Sequence, residues 1–388
     1  MPQPSTLRRA ASALALLFVA GCAGSGGGRG DAVPPTATYR VYVGAESADL
    51  LHRVRFGPDG ATVESTTAVG EMAVENEGPH GFAVAPDGRF VYMTTGHGVP
   101  DGKLWKFEAG PDTLVAAPIL LGYFPATLDL TPDGLYAFVV NFNLHGEMVP
   151  STVSVVYTPD MIEVKQIETC TMPHGMRVAP DGLYAYSACM MDDQLVELDT
   201  RTFEVSRRFG VGTGAEGPLA PDAVAAMGGM DHGSRGGAAH APTCSPTWAE
   251  PSVDGRFVYV ACNRSDVIHE VDRQAWRVTR TFQAGRAPYN LEATPDGRLL
   301  VATLKSGAAV EFFDLATGES LAITPSSTTV THGVVVSPDS RYAFVSVEGV
   351  GAEPGKVDVF DLRTFRRLAD VAVGQQAGGI AFWRMEGP

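Results

Sequence analysis

Three histidines in this chain share one local context. His80, His174 and His332 each precede a glycine at the start of a short apolar run: PHGFAV, PHGMRV and THGVVV. Three imidazoles that converge while leaving a position open form a catalytic type of metal site. A second set of donors sits in MGGMDHGSRGGAAHAPTC, residues 227–244, which has neither strand nor helix period. Its Met227, Met230, His232 and His240 combine thioethers with imidazoles, the ligand set copper prefers, above all as Cu(I). A third set is ionic: Asp129, Arg177, Glu250 and Glu292 stand inside otherwise apolar runs, with Tyr289 and Asn290 just ahead of Glu292. Carboxylates around an arginine can supply a general base beside an anion-stabilising cation.

Which of these groups meet depends on the elements that carry them, and those elements repeat. APDGRFVYM (85–93), TPDGLYAFV (131–139), APDGLYAYS (179–187), SVDGRFVYV (252–260), TPDGRLLVA (294–302) and SPDSRYAFV (337–345) are variants of one unit. Each joins two apolar runs through a tight turn, the pattern of a β-hairpin. The turn starts fall 46, 48, 73, 42 and 43 residues apart. A period in the forties with several short strands per unit predicts four-stranded propeller blades. GGIAFW (378–383) matches a strand before a turn and YRVYVGAES (39–47) a strand after one, yet neither has its turn. One seventh blade built from both chain ends accounts for both and removes exposed sheet edges. The expected fold is therefore all-β, a single seven-bladed propeller over 38–388.

The units resemble the YVTN β-propeller repeat family, whose tetrapeptide appears here as Phe138-Val139-Val140-Asn141 and, less closely, Tyr259-Val260-Ala261-Cys262. The resemblance covers nearly all the chain after the N-terminal segment. It implies a propeller and leaves function open, because propellers host many activities.

On such a fold the first strand of each blade lines a central channel, and its alternation can be read directly. One face carries Phe82 and Val84, Leu128 and Leu130, Met176 and Val178, Leu291 and Ala293, Val334 and Val336, Ile380 and Phe382, the inter-blade core. The other carries Ala83, Asp129, Arg177, Glu250, Glu292, Val335 and Ala381. Its charges fit either an ion network plugging the channel or a ligand or cation site, since unpaired buried charge is very costly. The residues that begin these strands are His80, Ala126, His174, Thr247, Tyr289, His332 and Gly378. The histidines stand on blades one, three and six, separated by roughly 100°, 150° and 100° around the ring. They either bond loop backbone or converge on the axis.

The loops after each second strand open on the same face and hold His97, Asn141, Asn143, His145, Met148, Met190, Met191, Asp192 and Asp193. With Met72, Met172, Met227 and Met230, seven of the twelve methionines fall on this face. Gap-filling methionines would be scattered through the core. The third repeat is about 27 residues longer than its neighbours, an excess that is usually functional or disordered. It runs over about 210–242, where it is either a lid over the channel mouth or a polar surface loop. Cys170 lies ten residues before Pro180 and Cys189 nine after it, while Cys244 and Cys262 each lie nine from Val253. This equivalence predicts disulfides Cys170–Cys189 and Cys244–Cys262, with Cys189–Cys244 the rival pairing. His52 and His269 occupy equivalent outer positions and are assigned no chemistry.

Arg8 and Arg9 precede the apolar stretch ASALALLFVAGC, which has the layout of an export signal and is too short to span a membrane. Val19-Ala20-Gly21-Cys22 resembles the bacterial lipoprotein cleavage box. That implies a signal peptide over 1–21, lipidation at Cys22 and, with Ala23 following, retention at the outer membrane facing the periplasm. Residues 22–37 read as a flexible tether. The net charge of −15 has no basic cluster, which argues against nucleic acid and against electrostatic docking on anionic lipid. Membrane contact is expected through the lipid alone, and the protein is expected to be a monomer.

Three functions stay open. One is an anchored binding protein whose Met- and His-rich face takes a small ligand, a metal such as copper, or an envelope protein. Another is an oxidoreductase with copper on His80, His174 and His332, by analogy with copper-dependent propeller oxidases. The last is a lactonase-like hydrolase or lyase with Glu250 or Glu292 as base and Arg177 as anion stabiliser. No nucleophile elbow, phosphate loop, HExxH or CxxCH motif points elsewhere.

Overall fold

The structure, a computed structural model, describes residues 1, 34–72, 74–97, 102–220 and 241–387. Residues 2–21 of the expected signal peptide, Cys22, Met227, Met230, His232 and His240 lie outside the described residues.

Seven antiparallel sheets form a ring. Their innermost strands are Pro79–Val84, Pro125–Leu130, Pro173–Val178, Pro246–Pro251, Pro288–Ala293, Thr331–Val336 and Ala377–Glu386. We number the blades one to seven in that order. Proline opens five of these strands, a position where its missing N–H breaks no ladder bond. The seventh blade pairs the two chain ends as expected, with Val41 opposite Phe382, Tyr42 opposite Ala381 and Val43 opposite Ile380. Blades one and three each add a short fifth strand, Ile119–Leu120 and Gly217–Leu219.

The hairpin turns explain the repeated glycine. Gly88, Gly134, Gly182, Gly255 and Gly297 sit at φ of 69–71°, a left-handed conformation that costs a residue with a Cβ. Between blades the alternation behaves as its pattern demands. Leu128, Met176, Leu291 and Val334 are at most 1% exposed. Val41, Val43 and Ile380 of blade seven join Phe344 and Val357 of blade six in one cluster.

Both expected disulfides are present, with Cα separations of 5.9 Å for Cys170–Cys189 and 4.5 Å for Cys244–Cys262. Cys170 belongs to the outer strand of blade two, Ile162–Thr171, so its bond links neighbouring blades. Cys244 holds the returning end of the long third repeat, and Asp193 holds it too. The Asp193 carboxylate accepts from the backbone of Thr243, Cys244 and Ser245 at 2.6–3.2 Å, while its carbonyl takes Val211 N at 2.8 Å. Both ends of the excess segment therefore meet at one residue on the histidine-bearing face. Among the described residues no helix is long and apolar enough to cross a membrane.

Candidate metal centre at the channel mouth

Each histidine begins its strand against the next blade. His80 Nδ1 lies 2.8 Å from Ala126 O and His174 Nδ1 2.9 Å from Thr247 O, the equivalent positions one blade on. A carbonyl only accepts, so Nδ1 carries the proton in both rings and Nε2 keeps its lone pair. The following glycines allow this approach. A Cβ on Gly81 would stand 2.5 Å from Ala126 O, and one on Gly175 would collide with Thr247 O. His332 faces Gly378 O in the same way, but its Nδ1 falls short of a full hydrogen bond. The two readings of these histidines are thus compatible: each ring leans on neighbouring backbone and still turns Nε2 inward. His80 lies with ring centroids 5.6 Å from His332 and 6.3 Å from His174.

Convergence does not make all three a ligand set. The Tyr289 hydroxyl donates to His174 Nε2 at 2.9 Å, which occupies that lone pair. Burial, reinforced by His80, holds His174 neutral down to about 3. The group that does come together is Glu46, His80 and His332, all buried, with one ligand atom from each within 4.8 Å of the others. Of the expected set, His80 and His332 belong to this group and His174 does not, while Glu46, which the sequence reading did not name, does. The ligands expected on 227–240 lie outside the described residues.

Glu46 directly follows the second strand of blade seven, Thr38–Ala45. The residues at this position in blades one to seven are Gly96, Phe142, Met190, Asn263, Lys305, Glu348 and Glu46. They form a second tier over the strand-start residues. Phe142 packs on the His174 ring at 4.9 Å, Lys305 Nζ stands 4.1 Å from the Tyr289 ring centre, and Glu348 lies 3.7 Å from His332 Nε2. Blade seven has Gly378 at its strand start, where a Cβ would strike the Glu46 carboxylate. The glycine thereby admits Glu46 to within 3.8 Å of His80 Nε2. Its other oxygen lies 3.3 Å from His97 Nε2 and accepts from Gln376 at 3.1 Å. Sequence reasoning missed Glu46 because equivalence was applied to the strand starts alone. The same register applied to the strand exits singles out Glu46, Lys305 and Glu348.

Charge here is balanced locally. Lys305 pairs with Glu348 at 3.2 Å. Desolvation, followed by Lys305 and the other two rings, holds His332 well below its ordinary range. Neutral imidazole is the form that binds a metal. His97, Phe124 and His145 pack edge-on and tilted against one another beside the site, with ring centroids 4.9–5.7 Å apart. The methionines are less concentrated than expected. Met172 is buried in an apolar cluster with Phe124, Ala126 and Phe142, with Met190 against it, while Met72, Met148 and Met191 are exposed.

Beneath the rings lies a cavity of about 30 Å³ lined by His80, His174, His332, Asn290, Arg177 and Trp248. That is room for one or two water-sized groups, and Asn290 Oδ1 is buried there with no hydrogen-bond partner. The ionic tier closes the floor. Arg177 stands 3.7 Å from both Glu250 and Glu292 and lies over the Trp248 ring at 4.5 Å. Asp129 completes the network by accepting from Val178 N at 2.8 Å. Desolvation raises the Asp129, Glu250 and Glu292 carboxyls, and Arg177 opposes the rise in each. These four side chains form an ion network across the channel in which one Glu250 carboxylate oxygen is buried without a hydrogen-bond partner. His52 and His269 bond Thr66 and Thr281 at 2.9 and 3.0 Å, far from this chemistry.

The fold and site define a seven-bladed β-propeller with a buried His/Glu cluster at one channel mouth. No protein-family model matches the chain, and no curated protein matches it. Among solved structures it is similar to Kuenenia stuttgartiensis hydrazine synthase, with 18% identity and a TM-score of 0.60. The match covers 80% of this chain and 93% of that one. At this identity the likeness is one of fold.

Proposed function

We propose that this protein is an extracytoplasmic binding protein that holds one divalent transition-metal ion at its channel mouth. The observation that carries the reading is the buried triad of Glu46, His80 and His332, whose ligand atoms lie within 4.8 Å of one another. Tetrahedral coordination at roughly 2.1 Å needs donors about 3.4 Å apart, so a small inward movement completes the site. Glu46 and His80, at 3.8 Å, are close to that already. Two imidazoles and a carboxylate are harder donors than the thioethers of the 227–244 segment. That moves the preference from Cu(I) toward Zn(II) or Cu(II). The Ala126 carbonyl supplies the outer hydrogen bond that orients a ligating imidazole. Two disulfides fit an extracytoplasmic location, and lipid anchoring at Cys22 would place the site in the cell envelope.

Metal content of the full chain, folded in an oxidising periplasm supplied with copper or zinc, tests this directly. The expected result is about one ion per chain, lost in Glu46→Gln, His80→Ala and His332→Ala and kept in His52→Ala. Metal no higher in the wild type than in a Glu46→Gln/His332→Ala double variant overturns the proposal. The ion that is retained decides between copper and zinc.

A further inference from the structure

The face opposite the histidines carries a repeated polar unit that is complete in one blade and unfilled in the next. In blade three, Tyr186, Glu197, Ser206 and Arg207 interlock: Tyr186 donates to Glu197 at 2.7 Å, Ser206 at 2.9 Å and Arg207 at 2.5 Å. Arg273, reaching across from blade four, caps them. Its guanidinium donates to the Tyr186 hydroxyl at 2.6 Å, to Gly255 O at 2.6 Å and to Asp181 at 3.0 Å. Blade four repeats the residues of this unit. Tyr259, Glu270, Thr279 and Arg280 stand at the same strand positions, with Thr279 and Arg280 donating to Glu270 at 2.9 and 2.5 Å. Even the backbone of the capping residue is held alike. Arg207 donates to Arg273 O at 3.0 Å and Arg280 to Leu315 O at 2.8 Å.

Two things differ: blade five carries Leu315 where blade four carries Arg273, and the Tyr259 hydroxyl makes no counterpart of the Tyr186–Glu197 hydrogen bond. Where a guanidinium would lie there is a half-open cavity of about 370 Å³ lined by Asp254, Tyr259, Glu270, Arg280, Gly297 and Leu315 among others. Asp254 and Gly297 are the counterparts of Asp181 and Gly255. Tyr259 is 3% exposed, and among the described residues its hydroxyl has no hydrogen-bond partner. Asp254, Glu270 and Asp296 outnumber the single Arg280 on the walls, so the cavity favours a cation.

We infer that this cavity binds a guanidinium group supplied from outside the chain, which takes the place that Arg273 fills one blade earlier. The group donates to the Tyr259 hydroxyl, the Asp254 carboxylate and the Gly297 carbonyl. Arg273 meets the equivalent acceptors from Nε, Nη1 and Nη2, three separate nitrogens of a planar fork, whereas an ammonium donates from one. The source is either a small guanidinium compound or an arginine side chain of a peptide.

Calorimetric titration of the full chain with ethylguanidinium, and separately with acetyl-Gly-Arg-Gly-amide, tests the inference and separates the sources. One site is expected in the wild type. Binding of ethylguanidinium assigns the pocket to the group itself, and a much tighter peptide assigns it to a protein partner. Leu315→Arg should fill the cavity from within, abolish binding and raise the Tm. Tyr259→Phe should weaken binding about five-fold. Arg273→Leu should open a second site; if that variant does not fold, the other two decide. Failure of both probes, equal binding of ethylammonium, or unchanged binding in Leu315→Arg would overturn it.

Discussion

The Tyr289 hydroxyl lies 2.9 Å from Nε2 of His174, and this hydrogen bond joins blade five to blade three across the channel mouth. It turns one of three converging imidazoles into a structural group. Tyr289→Phe removes the donor and leaves a buried acceptor unsatisfied, a loss of about 1–3 kcal/mol. Chemical denaturation should show that loss, while metal content stays near that of the wild type. Loss of metal with unchanged stability would reverse the roles assigned to His174 and Glu46.

Gly81 is the position where a single methyl group should disable the site without touching a ligand. A Cβ there would stand 2.5 Å from Ala126 O and 2.8 Å from Thr94 Oγ1, and the same Ala126 carbonyl orients His80. Gly81→Ala is expected to cost about 1–3 kcal/mol through overpacking and to lower metal affinity at least ten-fold. Titration with a chromophoric chelator as competitor reads the second effect, and unchanged affinity would show that His80 is oriented by something else.

The ionic tier sets a pH dependence whose sign follows from its carboxylates. Burial outweighs Arg177 and pushes Glu292 up from 4.5 to about 7, and Glu250 is raised as well. The folded state thus holds protons that the unfolded chain has released. Stability from this pair is fully present below about pH 4.5 and is lost as pH rises through about 7. The loss should be on the order of 3 kcal/mol between those limits. Glu292→Gln should flatten the profile. Arg177→Met leaves three carboxylates without their cation and should cost about 3–5 kcal/mol, most of it at high pH. Denaturation midpoints across this range check all three statements, and a wild type that gains stability toward pH 8 refutes them.

The disulfides make a separable contribution. Each closes a loop with a sequence separation of 19 or 18 residues, for which constraint of the unfolded chain contributes about 3 kcal/mol. Cys170→Ser/Cys189→Ser, which unlinks blades two and three, should lower stability by that order in oxidising buffer. Cys244→Ser/Cys262→Ser should do the same and additionally speed proteolysis next to Thr243, because only hydrogen bonds, to Asp193, Thr213, Asn263 and Arg264, then hold the returning end. Equal proteolysis in both variants would show that these hydrogen bonds suffice.

Much of this architecture is local and therefore legible in the chain itself. The hairpin turns, their left-handed glycines and the alternation of each innermost strand depend on neighbours a few residues away. Their spacing then counts the blades, and the unmatched runs at 39–47 and 378–383 predict the closing sheet. The disulfide pairing follows from the same register, because equivalent positions in a repeat occupy equivalent places in space. The tier of Asp129, Arg177, Glu250 and Glu292 was also visible, since strand parity alone sends all four toward the axis.

What the sequence could not decide was which side chains share the last few ångströms at the mouth. His80, His174 and His332 stand at equivalent positions, yet Tyr289 claims one of them and a carboxylate from another tier joins the other two. Glu46 enters because Gly378 leaves space, a relationship between residues 332 positions apart that no local pattern encodes. The missing cap at Leu315 is of the same kind: a leucine in a strand connection is unremarkable until the preceding blade's tyrosine and aspartate are seen facing it. Backbone register is a short-range property of the chain, whereas the occupant of each position around a closed ring is chosen by steric competition among seven blades, and only the assembled ring resolves that competition.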